Sequence, residues 1–118
     1  MTVPIVKATA FAQATERMNK TERAYYATRL LPRLHGGEIV RVDFEAVTLR
    51  LGPDLRYTPD FRVILADGTE EYHEVKGGFK REDAWVKLRT AAEQHPYIFR
   101  LAELKGGMWT VKHVSSAI

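Results

Sequence analysis

The stretch YTPDFRVILADGTEEYHEVKGG, Tyr57 to Gly78, sets two acids and a lysine into apolar runs. Asp60 follows Pro59, and Glu74 and Lys76 bracket Val75. A carboxylate on a core strand is costly unless something pairs with it, and a metal ion is one such partner. Strand alternation puts Glu74 and Lys76 on the same side. Ala66-Asp67-Gly68-Thr69 reads as a hairpin connection, and counting back from it sets Asp60 beside Glu74. Hard oxygen ligands from one Asp and one Glu suit Mg²⁺, with Mn²⁺ as a substitute, and the backbone carbonyl of Val75 is a further candidate ligand. Such an ion activates water and stabilises charge on a phosphate, while a lysine orients the water or offsets that charge. These are the parts that phosphodiester hydrolysis requires.

The elements that would hold this cluster follow from periodicity and punctuation. Residues 1–18 read as an arm with a short helix from Ala8 to Met18, and residues 19–118 as the core of a single domain. Asn19 with Glu22 three residues on is a capping box, opening a helix that Pro32 and Gly36-Gly37 are expected to end. GEIVRVDFEAVTLRL alternates and reads as one strand with a bulge near Phe44 to Ala46. Gly52-Pro53-Asp54 is a turn, Asp60 to Leu65 a second strand, and Glu70 to Val75 a third. Lys80 to Gln94 has helical spacing, with Ala84, Trp85, Leu88, Ala91 and Ala92 on one face. Tyr97 to Leu104 and Met108 to Val114 complete the set. A helix between the third and fourth strands lets them run parallel. The fold class is therefore α/β: helix, three antiparallel strands, helix, one or two strands, in a mixed sheet flanked by helices.

Pro59-Asp60 followed by Glu74-Val75-Lys76 resembles the PD-(D/E)xK signature of the restriction-endonuclease-like nuclease superfamily. The element order matches that core over Lys20 to Leu104, and Tyr57-Thr58-Pro59-Asp60-Phe61 with Glu74-Val75-Lys76-Gly77 resembles its small phage and transposon-end members, Holliday-junction resolvases among them. The resemblance implies Mg²⁺-dependent cleavage of DNA, often by a homodimer. It also implies a metal-site glutamate on the first helix, where this chain has Glu22. Arg56, Lys80, Arg81 and Lys87 are candidate phosphate contacts around the motif.

Each residue also has a plainer reading. Asp60 would satisfy turn backbone after Pro59. Glu74 and Lys76 would form an exposed pair, Glu22 would only cap its helix, and the basic residues would be a solvated face. His73 is expected to point away from Glu74 and to be structural, and of Tyr25 and Tyr26 at most one faces the core.

The composition is that of an ordinary globular chain: 118 residues, 45% hydrophobic, 28% charged, with a net charge of +3. There is no apolar run of about 18 residues to span a membrane. The absence of cysteine excludes disulfides and thiolate metal sites. The N-terminus does not read as a signal peptide, so a cytoplasmic setting, in a bacterial cell or a phage-infected host, is expected. The size favours recognition of DNA shape such as branches or ends, or a protein partner that supplies specificity. The competing functions are a non-catalytic DNA-binding or assembly module, and an RNA-directed nuclease.

Overall fold

A computed structural model describes residues 14–77 and 82–115. Its framework is a five-stranded mixed sheet. The strands are β1 (Ile39–Phe44), β4 (Phe61–Leu65), β5 (Glu70–Lys76), β6 (Ile98–Lys105) and β7 (Met108–His113), in the spatial order β1-β4-β5-β6-β7. Only β5 and β6 are parallel neighbours, as expected from the helix α3 (Glu82–Gln94) that joins them. β2 (Leu49–Gly52) and β3 (Leu55–Tyr57) form a separate two-stranded ribbon.

Alternation along β5 divides the interior in two. Val75 packs with Tyr25, Leu30, Phe61, Val63 and Ala102 under the first helical segment. Tyr72, on the other face, packs with Leu88, Ala91, Phe99, Leu101 and the ribbon residues Leu49, Leu51 and Tyr57. β5 is buried on both faces and therefore lacks a solvated side on which to place its polar residues.

Three expectations are corrected. The alternating run after the glycines is not one strand. Glu45 takes a positive φ of 50°, and its N–H donates to the Asp60 carbonyl at 2.9 Å. The chain turns there out of the sheet, and residues beyond it pair locally in the ribbon. Pro32 does not end the first helix. α1 (Lys20–Tyr25) passes through a π-helical stretch, Tyr26–Leu30, into α2 (Leu31–His35), and the wider turn accommodates a proline at the start of α2. Both tyrosines also contact the core: Tyr25 is buried, while Tyr26 is half-buried and stacks on Phe61 with ring centroids 6.4 Å apart. The helix after β5 is described from Glu82, and of the Ala8 to Met18 helix residues 14–17 are seen; Lys80 and Arg81 lie outside the described residues.

A buried polar chain ties α1 to the sheet. Tyr25 Oη lies 2.7 Å from His73 Nδ1, and His73 Nε2 lies 2.8 Å from Glu71 Oε1. Arg100 donates to both Glu71 oxygens at 2.9 and 3.1 Å. Burial pushes the Glu71 carboxyl up, but the bonds from His73 and Arg100 outweigh it and hold the group at about 2. An ionised Glu71 only accepts, so His73 donates through Nε2 and accepts the Tyr25 hydroxyl's hydrogen bond at Nδ1. Burial lowers the His73 pKa, which favours this neutral form. His73 is structural, as expected.

Replacing Arg100 with Met should cost on the order of 3 kcal/mol in urea unfolding, because Glu71 keeps its charge and loses a bidentate partner. Adding Glu71→Gln should recover much of the loss; an unchanged double variant would show that the ion pair does not govern this site.

Candidate active site

The candidate residues meet where β4 begins and β5 ends. Phe61 pairs with His73, which carries Asp60 to the level of Glu74 and Val75. Asp60 Oδ2 accepts the Val75 N–H at 2.8 Å. The N–H and C=O of one strand residue face the same neighbouring strand. The Val75 carbonyl is therefore also directed past the end of β4, toward the Asp60 side. Asp60 and Glu74 are buried, with 9% and 8% exposure. Lys76 shares the Glu74 face, with Nζ 3.8 Å from Glu74 Oε2.

Glu22 approaches from the start of α1. Its backbone N–H donates to Asn19 Oδ1 and its Oε1 accepts the Asn19 N–H, both at 2.8 Å, so the capping box forms. Its charge nevertheless acts on both Asp60 and Glu74. The capping and acidic-site readings of Glu22 are thus compatible. Gly77 sits against the same helix: a Cβ at that position would lie 3.4 Å from Thr21 Oγ1, an ordinary contact. Its packing partner is the helix that carries Glu22.

Tyr57 is the residue that motif reasoning missed. Its hydroxyl donates to Glu74 Oε1 at 2.5 Å inside the protein. Burial, reinforced by the Glu74 charge, raises the Tyr57 pKa, so it remains a donor. The one sequence signal was position: Tyr57 is a large aromatic three residues before Asp60. Glu103 was also missed. It is buried beside Lys76 in the β5–β6 register and pairs with Lys112 at 3.2 Å.

The electrostatics are those of an anionic cluster. Burial first, then the Glu74 charge, pushes the Asp60 carboxyl up to about 8. Burial likewise raises Glu74, against the Tyr57 hydrogen bond and the Lys76 charge. Among the described residues, no three His, Asp or Glu side chains form a ready-made ligand group. Asp60 and Glu74 are instead turned toward Val75 and Tyr57. The donor set still fits a hard divalent cation: two adjacent carboxyls that burial pushes up, a nearby third, and a backbone carbonyl directed to the same place.

Of the candidate phosphate contacts, Arg56 is exposed on β3 and Lys87 is half-buried on α3. Trp85 is 40% exposed, so it lies outside the face formed by Leu88 and Ala91. Comparison with known protein families, curated proteins and solved structures returns no match. Among the described residues no helix is long and apolar enough to cross a membrane.

The Asp60 shift has a defined sign. A carboxyl raised from 3.8 to about 8 binds more proton folded than unfolded between those values, so its contribution to stability is present at low pH and lost as pH rises toward 8. In cation-free buffer, thermal unfolding of the parent and of Asp60→Asn should therefore diverge between about pH 5 and pH 8.5. The variant should gain on the order of a few kcal/mol relative to the parent. Parallel curves would mean that Asp60 ionises at its ordinary value.

Proposed function

We propose that the protein is a metal-dependent endonuclease that hydrolyses DNA phosphodiester bonds on a restriction-endonuclease-like core. The observation that carries this reading is the convergence of Asp60, Glu74 and Lys76 at one end of the β4–β5 hairpin, with both carboxyls held above their usual range by burial. A surface ion pair has no reason to be buried with a second acid beside it. Asp60, Glu74 and the Val75 carbonyl would hold Mg²⁺ or Mn²⁺, with Glu22 completing the set from α1. That ion would supply Lewis acidity toward water and the phosphate oxygens.

The chain's own residues do the rest. Tyr57 fixes Glu74 by donating to Oε1, which leaves Oε2 toward Lys76. Val75 N–H fixes Asp60 in the same way. Lys76, with its side chain 12% exposed, presents a positive charge beside these acids to orient the attacking water or offset charge on the phosphate. Arg56, Lys87, Lys80 and Arg81 would steady the flanking backbone. One such site cuts one strand, so cleavage of both strands, or of a branched junction, calls for a homodimer. Recognition would rest on DNA structure or on a protein partner, in a cytoplasmic setting.

Nicking of supercoiled plasmid tests this directly. Mg²⁺ or Mn²⁺ should support nicking and EDTA should abolish it. Asp60→Asn, Glu74→Gln and Lys76→Ala should each lower the rate by about a hundredfold or more, and Glu22→Gln by about tenfold. DNA binding without cleavage in either metal would replace this reading with a non-catalytic module, and faster cleavage of a matched RNA would redirect it to RNA.

A further inference from the structure

The ribbon formed by β2 and β3 has a face that its own fold leaves electrostatically unsatisfied. Leu49, Leu51 and Tyr57 point inward and pack with Leu88 and Ala91 of α3. The opposite positions, Thr48, Arg50, Arg56 and Thr58, are all exposed. Arg50 and Arg56 are direct cross-strand partners. Like charges placed directly opposite each other destabilise a ribbon. Among the described residues neither arginine takes part in an ion pair, and Asp54 in the intervening turn pairs with neither. Among the described residues the Arg50 guanidinium has one bond, from Nε to the neutral Gly52 carbonyl at 3.2 Å.

The back of the ribbon, by contrast, is pinned. Gln94 Nε2 donates to the Leu51 carbonyl at 3.1 Å, and His95 Nε2 lies 3.0 Å from the Arg50 carbonyl. Thr48 and Thr58 bond each other across its open end at 2.8 Å. Tyr57, the last residue of β3, is buried and bonded to Glu74. The two arginines are therefore carried on a braced element joined to the candidate active site. Arg56 lies four positions before Asp60, a reach of at most about 13 Å.

We infer that this ribbon is a phosphate-backbone contact for duplex DNA, with Arg50 and Arg56 acting as a pair that an anionic strand neutralises. The inference rests on the proposed nuclease reading for its choice of ligand and extends it by assigning the ribbon as an element, Arg50 included. Duplex DNA is the ligand that the nuclease reading supplies, and contacts to its phosphates would position the strand without reading its sequence. Arginine suits the role through its planar, always-charged fork.

The test is fluorescence anisotropy of the full chain with a labelled DNA duplex, in EDTA so that binding is read without cleavage, over a range of salt. Arg50→Ala and Arg56→Ala should each weaken binding about tenfold near 0.1 M salt, and each should flatten the log–log salt slope by about 0.9; the double variant should flatten it by about 1.8. Arg29→Ala, an exposed arginine on the helical segment over the other sheet face, should move the slope far less. Thermal melts of the variants should match or slightly exceed the parent's, since the facing charges are relieved, and if an alanine variant melts early, Arg50→Gln with Arg56→Gln takes its place.

The outcomes separate the two readings. Metal-dependent nicking by the parent, with unchanged affinity and slope in the arginine variants, overturns the ribbon and leaves the nuclease. Arginine-dependent binding with no nicking overturns the nuclease and keeps the ribbon. Equal losses in Arg29→Ala, tighter binding to a matched RNA duplex, or no DNA binding by the parent each overturn the ribbon assignment.

Discussion

Two carboxylates face each other at the end of one hairpin, inside the protein, and the cost of keeping them there explains what surrounds them. Asp60 is fixed by a backbone N–H and Glu74 by a tyrosine hydroxyl. Neither partner carries charge, so neither removes the mutual repulsion that burial intensifies. Lys76 brings the compensating charge only to 3.8 Å of one oxygen. The pair answers by retaining protons, the expected response of adjacent acids in a poorly solvated place. A fold that tolerates this must be stabilised elsewhere, and here the stabilising arrangement lies on the opposite side of the same strand.

β5 makes the comparison internal to the molecule. Its odd-numbered residues, Glu71, His73 and Val75, face α1, and its even-numbered ones, Tyr72, Glu74 and Lys76, face the ribbon and α3. On the α1 side the buried acid is matched by a bidentate arginine, a histidine and a tyrosine, and its pKa falls. On the other side the acids have only neutral donors and one lysine, and their pKa values rise. Glu71 and Glu74 share a strand and a side-chain type, yet their titrations shift in opposite directions. Bonds from His73 and Arg100 outweigh burial at Glu71, whereas burial dominates at Glu74. One face is complete as folded, and it anchors the helix that carries Glu22; the other has a deficit of positive charge that a cation would fill.

The parts of this arrangement readable from sequence were those set by local chemistry. The Asp-Gly turn fixed the β4–β5 register and therefore brought Asp60 to Glu74. Alternation placed Lys76 beside Glu74 and turned His73 away, and Asn19 with Glu22 gave the cap. What was not readable depended on contacts distant in sequence. A bulge was expected near Phe44 to Ala46, but nothing local revealed that a positive φ at Glu45 would lift the chain out of the sheet altogether. Pro32 is an ordinary helix stop unless a π-helical stretch precedes it, and that stretch has no pattern of its own. Tyr57 and Arg100 gained their roles from partners 17 and 29 residues away.

The departure at Glu45 also links the two halves of the functional reading. Had the run continued as one strand, Arg50 would have extended the edge of the sheet. Instead the chain leaves at Glu45, pairs with itself, and returns through Tyr57 to Asp60. The Glu45 N–H bond to the Asp60 carbonyl closes that excursion at its base. A loop closed at its base, pinned on its back by Gln94 and His95 and tied at Tyr57 to Glu74, has little freedom relative to the acids. Positive charge on the ribbon and negative charge in the cluster are thus held apart at a fixed spacing, although opposite charges would be drawn together on a flexible segment. That separation would suit a polyanion and a cation bound side by side, with phosphates on the arginines and a divalent ion held by the acids.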